Sequence, residues 1–435
     1  MNISVRSLSL VVSVVLAAGS ARGDLASYIA KPEPACTWSE VSRTAQGGCE
    51  IRVLKLVSQE WQGIRWEHDV VVFRPVDVAP SGKLFLINNG GKAREKDYGY
   101  GAMLANQIKA PCAFLMGIPN QPLFDGKKED ALIAETFVRY LDTNDPSWPL
   151  LFPMTKSLVK CMDALQDTFR REWKDEIKGF IVSGASKRGW TTWLTASVDP
   201  RVCAIAPMVI DTLNIPAQLP HQLKLYGELS ASIRDYTERG LVPMKNTAEE
   251  KRLWTWVDPF TYKAKFTLPK LVVLGTNDPY WSTDALNLYW DGLPAQKWIS
   301  YTPNAGHNLV ATTGENKGPW RAMGNVAAFV RHQISGQPIP EVNWKHDGTK
   351  DTTLRLTVTA KPAPSKIQLW QTVHSDTDFR TAVWKSRDVP VTGSGADIAV
   401  EVPPGSCTAY FADAAYEIDG IAYTLCTQIR VVKVK

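Results

Sequence analysis

A serine lies where a strand pattern gives way to a helix pattern, at a position suited to nucleophilic attack on a carbonyl. The β-branched run Gly179–Ser183 predicts a strand, and the residues from Thr191 onward predict the start of a helix. A serine on the tight turn between such elements presents its hydroxyl above the helix N-terminus, as in a nucleophile elbow. Gly184, two residues before Ser186, has no Cβ to clash where the chain folds back. The alternative is an ordinary glycine–serine turn that closes a strand–helix unit.

The second glycine of such an elbow is displaced by one residue. The place two residues after Ser186 is occupied by Arg188, and glycine follows as Gly189. The turn taken alone therefore does not decide between nucleophile and plain turn, and residues elsewhere in the chain must do so.

An acid and a histidine follow downstream, each after its own predicted strand. Asp278 lies in a turn after the apolar run 270–275, and His307 lies in a loop after the run 298–302. Ser, Asp, His is the chain order of the α/β-hydrolase triad and differs from that of chymotrypsin-like and subtilisin-like enzymes. In this interpretation Ser186 attacks, His307 takes its proton, and Asp278 orients and stabilises the imidazolium.

Each of these residues also has a simpler interpretation. Asp278 precedes a proline, which is common at the start of a turn, and His307 could be a loop histidine bonded to backbone. Asp211, at the end of the predicted strand 204–210, is a rival acid, although Asp278 is preferred. Three strand ends in the right order with the right residue types favour the triad.

A glycine pair supplies a candidate oxyanion hole. Gly90 and Gly91 follow the predicted strand 83–87, upstream of the serine, where hydrolases of this fold place a glycine-rich loop. Their N–H groups, together with that of Lys187, could bind the developing oxyanion. The Lys187 side chain is expected either to add positive charge there or to be a solvated surface lysine.

Four segments together resemble the PhoPQ-activated pathogenicity-related protein family, and Arg188 in place of glycine matches its pattern. The resemblance covers most of the mature chain and implies an exported α/β-hydrolase-like protein with a C-terminal β domain, but no known substrate. The elbow is also locally similar to that of glucuronoyl esterases, which act on sugar-acid esters. The four segments are Gly184–Val202, Met208–Asn214, Pro149–Ser157 and Tyr301–Asn308.

The N-terminus has the pattern of a cleavable signal peptide. A short basic start is followed by the apolar run Leu8–Ala18 and by small residues before a predicted cut after Gly23. The run is too short to span a membrane, so we expect no stable membrane insertion and a secreted or periplasmic protein.

The composition excludes some partners. The net charge of +5 becomes +3 when Arg6 and Arg22 leave with the signal peptide, and no long basic run makes nucleic acid a partner. No Cys/His spacing resembles a zinc site, so no metal or other cofactor is indicated. The expected partner is a small-molecule or carbohydrate-linked ester, and the oligomeric state stays open. The 16 tryptophans are expected to lie mostly in the core.

Seven cysteines are an odd set for an exported protein. Cys36 and Cys49 flank a glycine-rich turn and are the preferred disulfide candidates. Cys407 and Cys426 resemble a hairpin pair, but a turn at Asp419–Gly420 does not bring them opposite each other.

The pattern along the chain predicts an α/β-hydrolase domain over residues 24–337, after the signal peptide 1–23, and a small β-sandwich over 338–435. The first is indicated by alternating strands and helices, with a helical cap insertion at about 212–266 that either sets substrate access or is a plain structural insertion. The second is indicated by period-two runs and turn residues after the linker 335–340. Carbohydrate or partner binding by the sandwich is possible, but packing on the first domain is preferred.

Overall fold

The computed structural model describes residues 23–313, 317–348 and 353–433. Most of the predicted signal peptide, residues 1–22, lies outside the described part of the chain. The first half of the fold is a mixed sheet whose strands are β1 (Thr37–Gln46), β2 (Cys49–Trp61), β3 (Ile64–Pro75), β4 (Lys83–Asn88), β5 (Cys112–Leu115), β6 (Gly179–Ala185), β7 (Val202–Met208), β8 (Lys270–Gly275) and β9 (Lys297–Thr302).

The sheet combines an antiparallel start with a parallel remainder. Its order is β1-β2-β3-β5-β4-β6-β7-β8-β9, and the strands from β5 to β9 all run parallel. Parallel neighbours need crossover connections, which explains why helices alternate with these strands and why the strands are apolar on both faces. The predicted α/β class is confirmed. The helices are α1 (Leu25–Ala30), α2 (Tyr98–Ile108), α3 (Glu129–Thr143), α4 (Leu151–Trp173), α5 (Lys187–Val198), α6 (Ile215–Tyr226), α7 (Arg234–Thr237), α8 (Ala248–Val257) and α9 (Trp320–Ser335).

The order of the strands creates a crevice beside β4. The chain passes from β4 to β5 on one side and then returns to β6 on the other, so β4 is paired with both. Connections diverge in opposite directions at such a point, and the carboxyl ends of the strands there form the usual ligand site of open α/β sheets. The segment that follows β4 therefore lies next to the turn that follows β6.

The connection between β7 and β8 is helical. It holds α6, α7 and α8 and 3₁₀ turns at Ala231–Ile233 and Pro259–Lys265, with no strand among them. This matches the mixed helical content predicted for residues 212–266.

Antiparallel strands follow α9, as predicted. Three of them form a small separate sheet in the order β10-β11-β14, and their buried side chains pack against those of the neighbouring strands. The C-terminal strands are β10 (Glu341–Asp347), β11 (Thr353–Lys361), β12 (Lys366–His374), β13 (Lys385–Val389), β14 (Gly395–Glu401), β15 (Cys407–Ile418), β16 (Ile421–Cys426) and β17 (Arg430–Lys433).

The other C-terminal strands extend the main sheet rather than standing apart from it. β16 pairs with β9 at Cys426 and Ile299, so the order continues as β9-β16-β15-β12-β13. The contact covers the edge of β9, which would otherwise present unpaired N–H and C=O groups. Helix α9 reinforces it, because Arg321 donates to the Tyr301 carbonyl at 2.9 Å and pairs with buried Asp413 at 2.6 Å.

The predicted Cys36–Cys49 disulfide is wrong. All seven cysteines have free thiols, and the β1–β2 hairpin opposes Cys49 to Gln46 and Thr37 to Val57. Cys36 therefore lies at the far end of the hairpin, roughly 30 Å from Cys49 at about 3.3 Å per residue. A disulfide needs Cα atoms within about 7 Å. The register of the last hairpin is as the sequence predicts, since Cys426 lies opposite Asp413 and not Cys407.

No helix in the described ranges is both long and apolar enough to cross a bilayer.

The tryptophans are buried or half-buried as expected, except for Trp320, whose surface is 63% exposed.

Candidate active site

Ser186 lies on a strained turn between β6 and α5. Its backbone has φ 59° and ψ −126°, a region that residues with a side chain rarely adopt. The conformation is held by the Ser186 N–H, which donates to the Met208 carbonyl at 2.8 Å, and by the Trp190 N–H, which donates to the Ser186 carbonyl at 2.9 Å. The turn thus has the geometry expected of a nucleophile elbow.

Both glycines of the elbow are required by close packing. A Cβ on Gly184 would lie 2.4 Å from Asn88 Nδ2. A Cβ on Gly189 would lie 2.7 Å from Ile210 Cγ2 and 2.9 Å from the Met208 carbonyl oxygen. The glycine one place later than usual is therefore where α5 crosses β7, which leaves position 188 free to carry a side chain.

The three residues proposed from sequence meet in a hydrogen-bonded row. His307 Nε2 is 2.8 Å from Ser186 Oγ, and His307 Nδ1 is 2.7 Å from Asp278 Oδ2. A carboxylate only accepts, so Nδ1 carries the proton and Nε2 is free to accept from the serine hydroxyl. Asp278 is held in turn by the Tyr280 N–H at 2.9 Å. The Tyr280 ring packs on the imidazole with centroids 4.3 Å apart.

Asp211 does not take the place of the acid. Among the described residues the carboxylate bonded to His307 belongs to Asp278, and Asp211 is buried nearby with Oδ1 unpartnered. Burial, followed by the charge of Asp278, raises the pKa of Asp211 to about 8. A carboxyl group with that pKa is largely neutral at pH 7 and is a poor partner for an imidazolium.

The two glycines of the predicted oxyanion hole differ in whether their N–H groups are free. The Gly91 N–H donates to Asn89 Oδ1 at 2.9 Å and is therefore occupied. The Gly90 N–H makes no hydrogen bond within the described residues. Lys187 is the first residue of α5, where backbone N–H groups have no helical acceptor. Of the predicted oxyanion donors, the N–H groups of Gly90 and Lys187 are the ones left available.

Asn88 was not found from the sequence, although it ends a buried strand where a polar residue is unusual. Its Nδ2 donates to the Ser183 carbonyl at 2.8 Å and to the Arg188 carbonyl and Thr192 Oγ1 at 3.2 Å each. The side chain thus ties the β4 end to the elbow, which fixes the Gly90 segment relative to Ser186.

The two basic residues after the serine form a cluster with two acids at the start of α3. Arg188 makes a two-pronged pair with Glu129 at 2.6 Å for each nitrogen, and its Nε donates to the Ile118 carbonyl at 2.5 Å. Lys187 Nζ lies 2.9 Å from Glu129 and 3.1 Å from Asp130. Lys187 is 6% exposed, so it is not a solvated surface lysine.

Arg188 also packs directly under the Gly90 segment. A Cβ on Gly90 would lie 1.8 Å from Arg188 Nη2, so only glycine lets the backbone approach the guanidinium so closely. Arg188, which takes the place of the usual second glycine, therefore connects the elbow, the Gly90 segment, the Ile118 segment and α3.

The loops that carry Asp278 and His307 are held by a segment of the C-terminal region. Asn277 Nδ2 donates to the carbonyls of residues 379, 380 and 382, the shortest of these being 2.7 Å. Asn304 exchanges two hydrogen bonds with the backbone of Trp384, at 2.7 and 3.0 Å. Gly275 lets the two loops approach each other, because a Cβ there would lie 2.4 Å from the Ala305 carbonyl oxygen.

We predict that Asn304→Ala lowers kcat about tenfold with little change in KM, because the loop carrying His307 loses its anchor and the row of hydrogen bonds is misaligned. The control is Asn287→Ala, which removes a similar bond to the C-terminal Ile429 carbonyl, 2.8 Å long, but away from the site. Steady-state ester hydrolysis and thermal unfolding of both variants check this. An equal loss of kcat in the control would show that stability alone is responsible.

An apolar pocket of about 650 Å³, measured out to its mouth, opens onto Ser186 and His307. The connection between β7 and β8 supplies much of its wall. Trp190, Tyr280 and Trp281 line it from the sheet side, and Lys187 and Asp130 are its charged groups. The wall residues of the insertion are Ile215, Gln218, Leu219, Ile233, Tyr236, Val242 and Trp254.

Comparison with known proteins gives one family and one relative over most of the chain. The model of the family described as PhoPQ-activated pathogenicity-related protein matches residues 25–380. Autocrine proliferation repressor protein A of Dictyostelium discoideum is 30% identical over an alignment of 429 residues, covering 89% of this chain and 85% of that protein.

Solved structures with similar architecture are more distant in sequence. Acetyl xylan esterase 1 from a Thermoanaerobacterium species has a TM-score of 0.47 at 13% identity, covering 70% of this chain and 89% of that one. A glucuronoyl esterase from Solibacter usitatus has a TM-score of 0.40 at 11% identity, covering 70% and 87%.

Proposed function

The chain belongs to the PhoPQ-activated pathogenicity-related protein family, and from that premise and the geometry of its site we propose that it is an exported serine hydrolase. The proposed substrate is an ester and the proposed mechanism passes through an acyl-enzyme. The observation that carries the proposal is the row Asp278–His307–Ser186, joined by contacts of 2.7 and 2.8 Å at the mouth of an apolar pocket.

In the first half of the proposed reaction, Ser186 Oγ attacks the ester carbonyl carbon while His307 Nε2 takes the hydroxyl proton. Asp278 stabilises the imidazolium that results. Negative charge develops on the carbonyl oxygen, and the N–H groups of Gly90 and Lys187 are the proposed donors to it. The tetrahedral intermediate then collapses, and the imidazolium returns its proton to the departing alcohol.

In the second half, water takes the place of the alcohol. The oxygen of a water molecule attacks the acyl carbon while His307 accepts a proton from that water. The carboxylic acid product leaves when the imidazolium returns a proton to Ser186 Oγ. No metal or redox step is needed for this sequence.

Ester hydrolysis is preferred to aminopeptidase activity because of the charges near the site. An aminopeptidase needs free carboxylates to bind an ammonium group. The acid that lines the pocket is Asp130, and it is already paired with Lys187, as is its neighbour Glu129. An apolar acyl or alcohol group suits the remaining wall better.

A second candidate is a secreted signalling protein whose triad is idle. The observation that favours it is the relative, which is named as a repressor of proliferation. Signalling by a surface of the protein would not require Ser186 to react.

Labelling with a fluorophosphonate probe separates the two functions. We expect the wild-type protein to take the label and Ser186→Ala to take none, because the probe reacts with a serine activated by a general base. Ser183→Ala is the control, since this serine lies three residues away, fully buried and bonded to the Ala206 carbonyl. Folded wild-type protein that takes no label would contradict the hydrolase proposal and favour the signalling one.

A further inference from the structure

A second, larger cavity reaches the site from the other side of the sheet. It is an open groove of about 2570 Å³, measured out to its mouth, between the carboxyl edge of the sheet and the helices α2 and α9. Val209 and His307 line both this groove and the smaller pocket at Ser186. The two cavities therefore meet at the imidazole.

The groove is mainly apolar along its length. Its floor is made by side chains from the strand ends, including Ile87, Phe114 and Met116. Its rim is made by the helices, with Tyr100 and Met103 on α2 and Trp320 on α9. The charged groups Lys92, Arg94 and Asp97 are confined to the segment between β4 and α2.

The rim side chains are unusually exposed for their type. Trp320 is 63% exposed, Met103 46% and Tyr100 41%. Apolar side chains gathered at one cleft mark a binding site more often than apolar residues scattered singly. Tyr100 keeps its hydroxyl 2.9 Å from Met323 Sδ, so its ring is held in place at the rim.

An ester that reacts at Ser186 has two substituents, and they must leave the carbonyl carbon in different directions. The smaller pocket receives one of them, and the insertion forms much of its wall. The groove begins beside Ala185, which is exposed and directly precedes the nucleophile. It is the way out for a second substituent too large for the pocket.

We propose that this groove binds the larger, apolar substituent of the substrate, an alkyl or aryl chain of about eight carbons or more, while the smaller pocket binds the smaller one. The proposal rests on the proposed hydrolase function. It assigns the substrate class as an ester with a long apolar arm rather than a small acetyl ester, because each CH₂ that is buried in the groove strengthens binding.

The test compares paired esters with the double variant Met103→Glu/Trp320→Glu. For the wild type, we expect kcat/KM for either octyl acetate or methyl octanoate to exceed that for methyl acetate at least tenfold. In the double variant the gain should disappear, so that kcat/KM no longer rises with the length of the chain. Val41→Glu is the matched control, since Val41 is 58% exposed on β1, away from the site.

Binding without turnover separates this proposal from the proposed function. Calorimetry with 2-decanone, which cannot be hydrolysed, should give binding with a negative heat-capacity change for wild type and Val41→Glu, and none for the double variant. If no ester is turned over but 2-decanone binds in this pattern, the hydrolase proposal is overturned and the groove proposal stands. A chain-length gain or 2-decanone binding that survives in the double variant would overturn the groove, as would their absence in the wild type. A dimer of the wild type that the double variant abolishes would instead assign the groove to a second copy of the chain.

Discussion

Replacing Asp278 with asparagine is expected to lower kcat about 10⁴-fold, as loss of the carboxylate does in other triads. An amide at this position presents an N–H to His307 Nδ1 and so favours the wrong tautomer, with the proton on Nε2 facing Ser186. The expected change in stability is small, since the two side chains have the same shape. The measurement is kcat for p-nitrophenyl acetate, together with urea unfolding.

Asp211→Asn is the matched control for this variant. The pKa of Asp211 is raised to about 8 by burial, so the group is neutral at pH 7 and asparagine resembles its native form. We expect kcat to stay within about threefold of wild type. A reversed pattern, with the large loss in Asp211→Asn, would make Asp211 the catalytic acid.

Asp211→Asn should also change how the free energy of unfolding depends on pH. The unfolded chain ionises Asp211 near the ordinary value of 3.8, whereas the folded chain holds the proton up to about 8. Wild-type stability from this group is therefore fully present below pH 3.8 and is lost as pH rises toward 8. Asp211→Asn should remove that part of the decline, so its advantage over wild type in urea unfolding should be greater at pH 8 than at pH 5.

Arg188→Met is expected to lower the free energy of unfolding by about 2–3 kcal/mol and to lower kcat as well. The change takes two hydrogen bonds from the Glu129 carboxylate and leaves Lys187 as its charged partner. It also leaves the Ile118 carbonyl without its donor and removes the group on which Gly90 packs. The expected loss lies at the lower end of the range for buried ion pairs because the Glu129 side chain is 41% exposed. The measurements are urea unfolding and the rate of fluorophosphonate labelling.

A charge of the same kind on the surface provides the control. Arg171→Met breaks a pair with Asp167 one helical turn away, but Arg171 is 60% exposed, and we expect a loss below about 0.5 kcal/mol. The double variant Arg188→Met/Glu129→Met should recover part of the loss, because no carboxylate then lacks its guanidinium partner. Equal losses in the Arg171 and Arg188 variants would refute a structural role for the elbow arginine.

Lowering the pH should reduce the difference in stability between the wild type and Arg188→Met. Burial alone would raise the pKa of Glu129, but the bonds and charges of Arg188 and Lys187 outweigh it and lower the pKa to about 2. The stability that this pair contributes is therefore present above the ordinary value of 4.5 and lost as pH falls toward 2. The difference between wild type and variant should shrink over that range.

The disulfide prediction was wrong because of the register of a hairpin. Cys36 and Cys49 were paired because a turn lies between them, but the hairpin register places them at opposite ends of β1. The C-terminal strands also extend the main sheet, since β16 meets β9. Which edge of a sheet a strand covers is not encoded in the local pattern of that strand.

The sequence by itself determined the elements that carry Ser186, Asp278 and His307 and the order in which they come. Parallel strands present their carboxyl ends at one edge, so residues that follow such strands meet there whatever the lengths of the connections. The tertiary structure decided which acid faces His307, which N–H groups near Ser186 are unoccupied and what Arg188 holds. These depend on hydrogen bonds and burial between segments far apart in the chain, such as Arg188 with Glu129 and Asn304 with Trp384. Only the folded chain brings those partners within bonding distance.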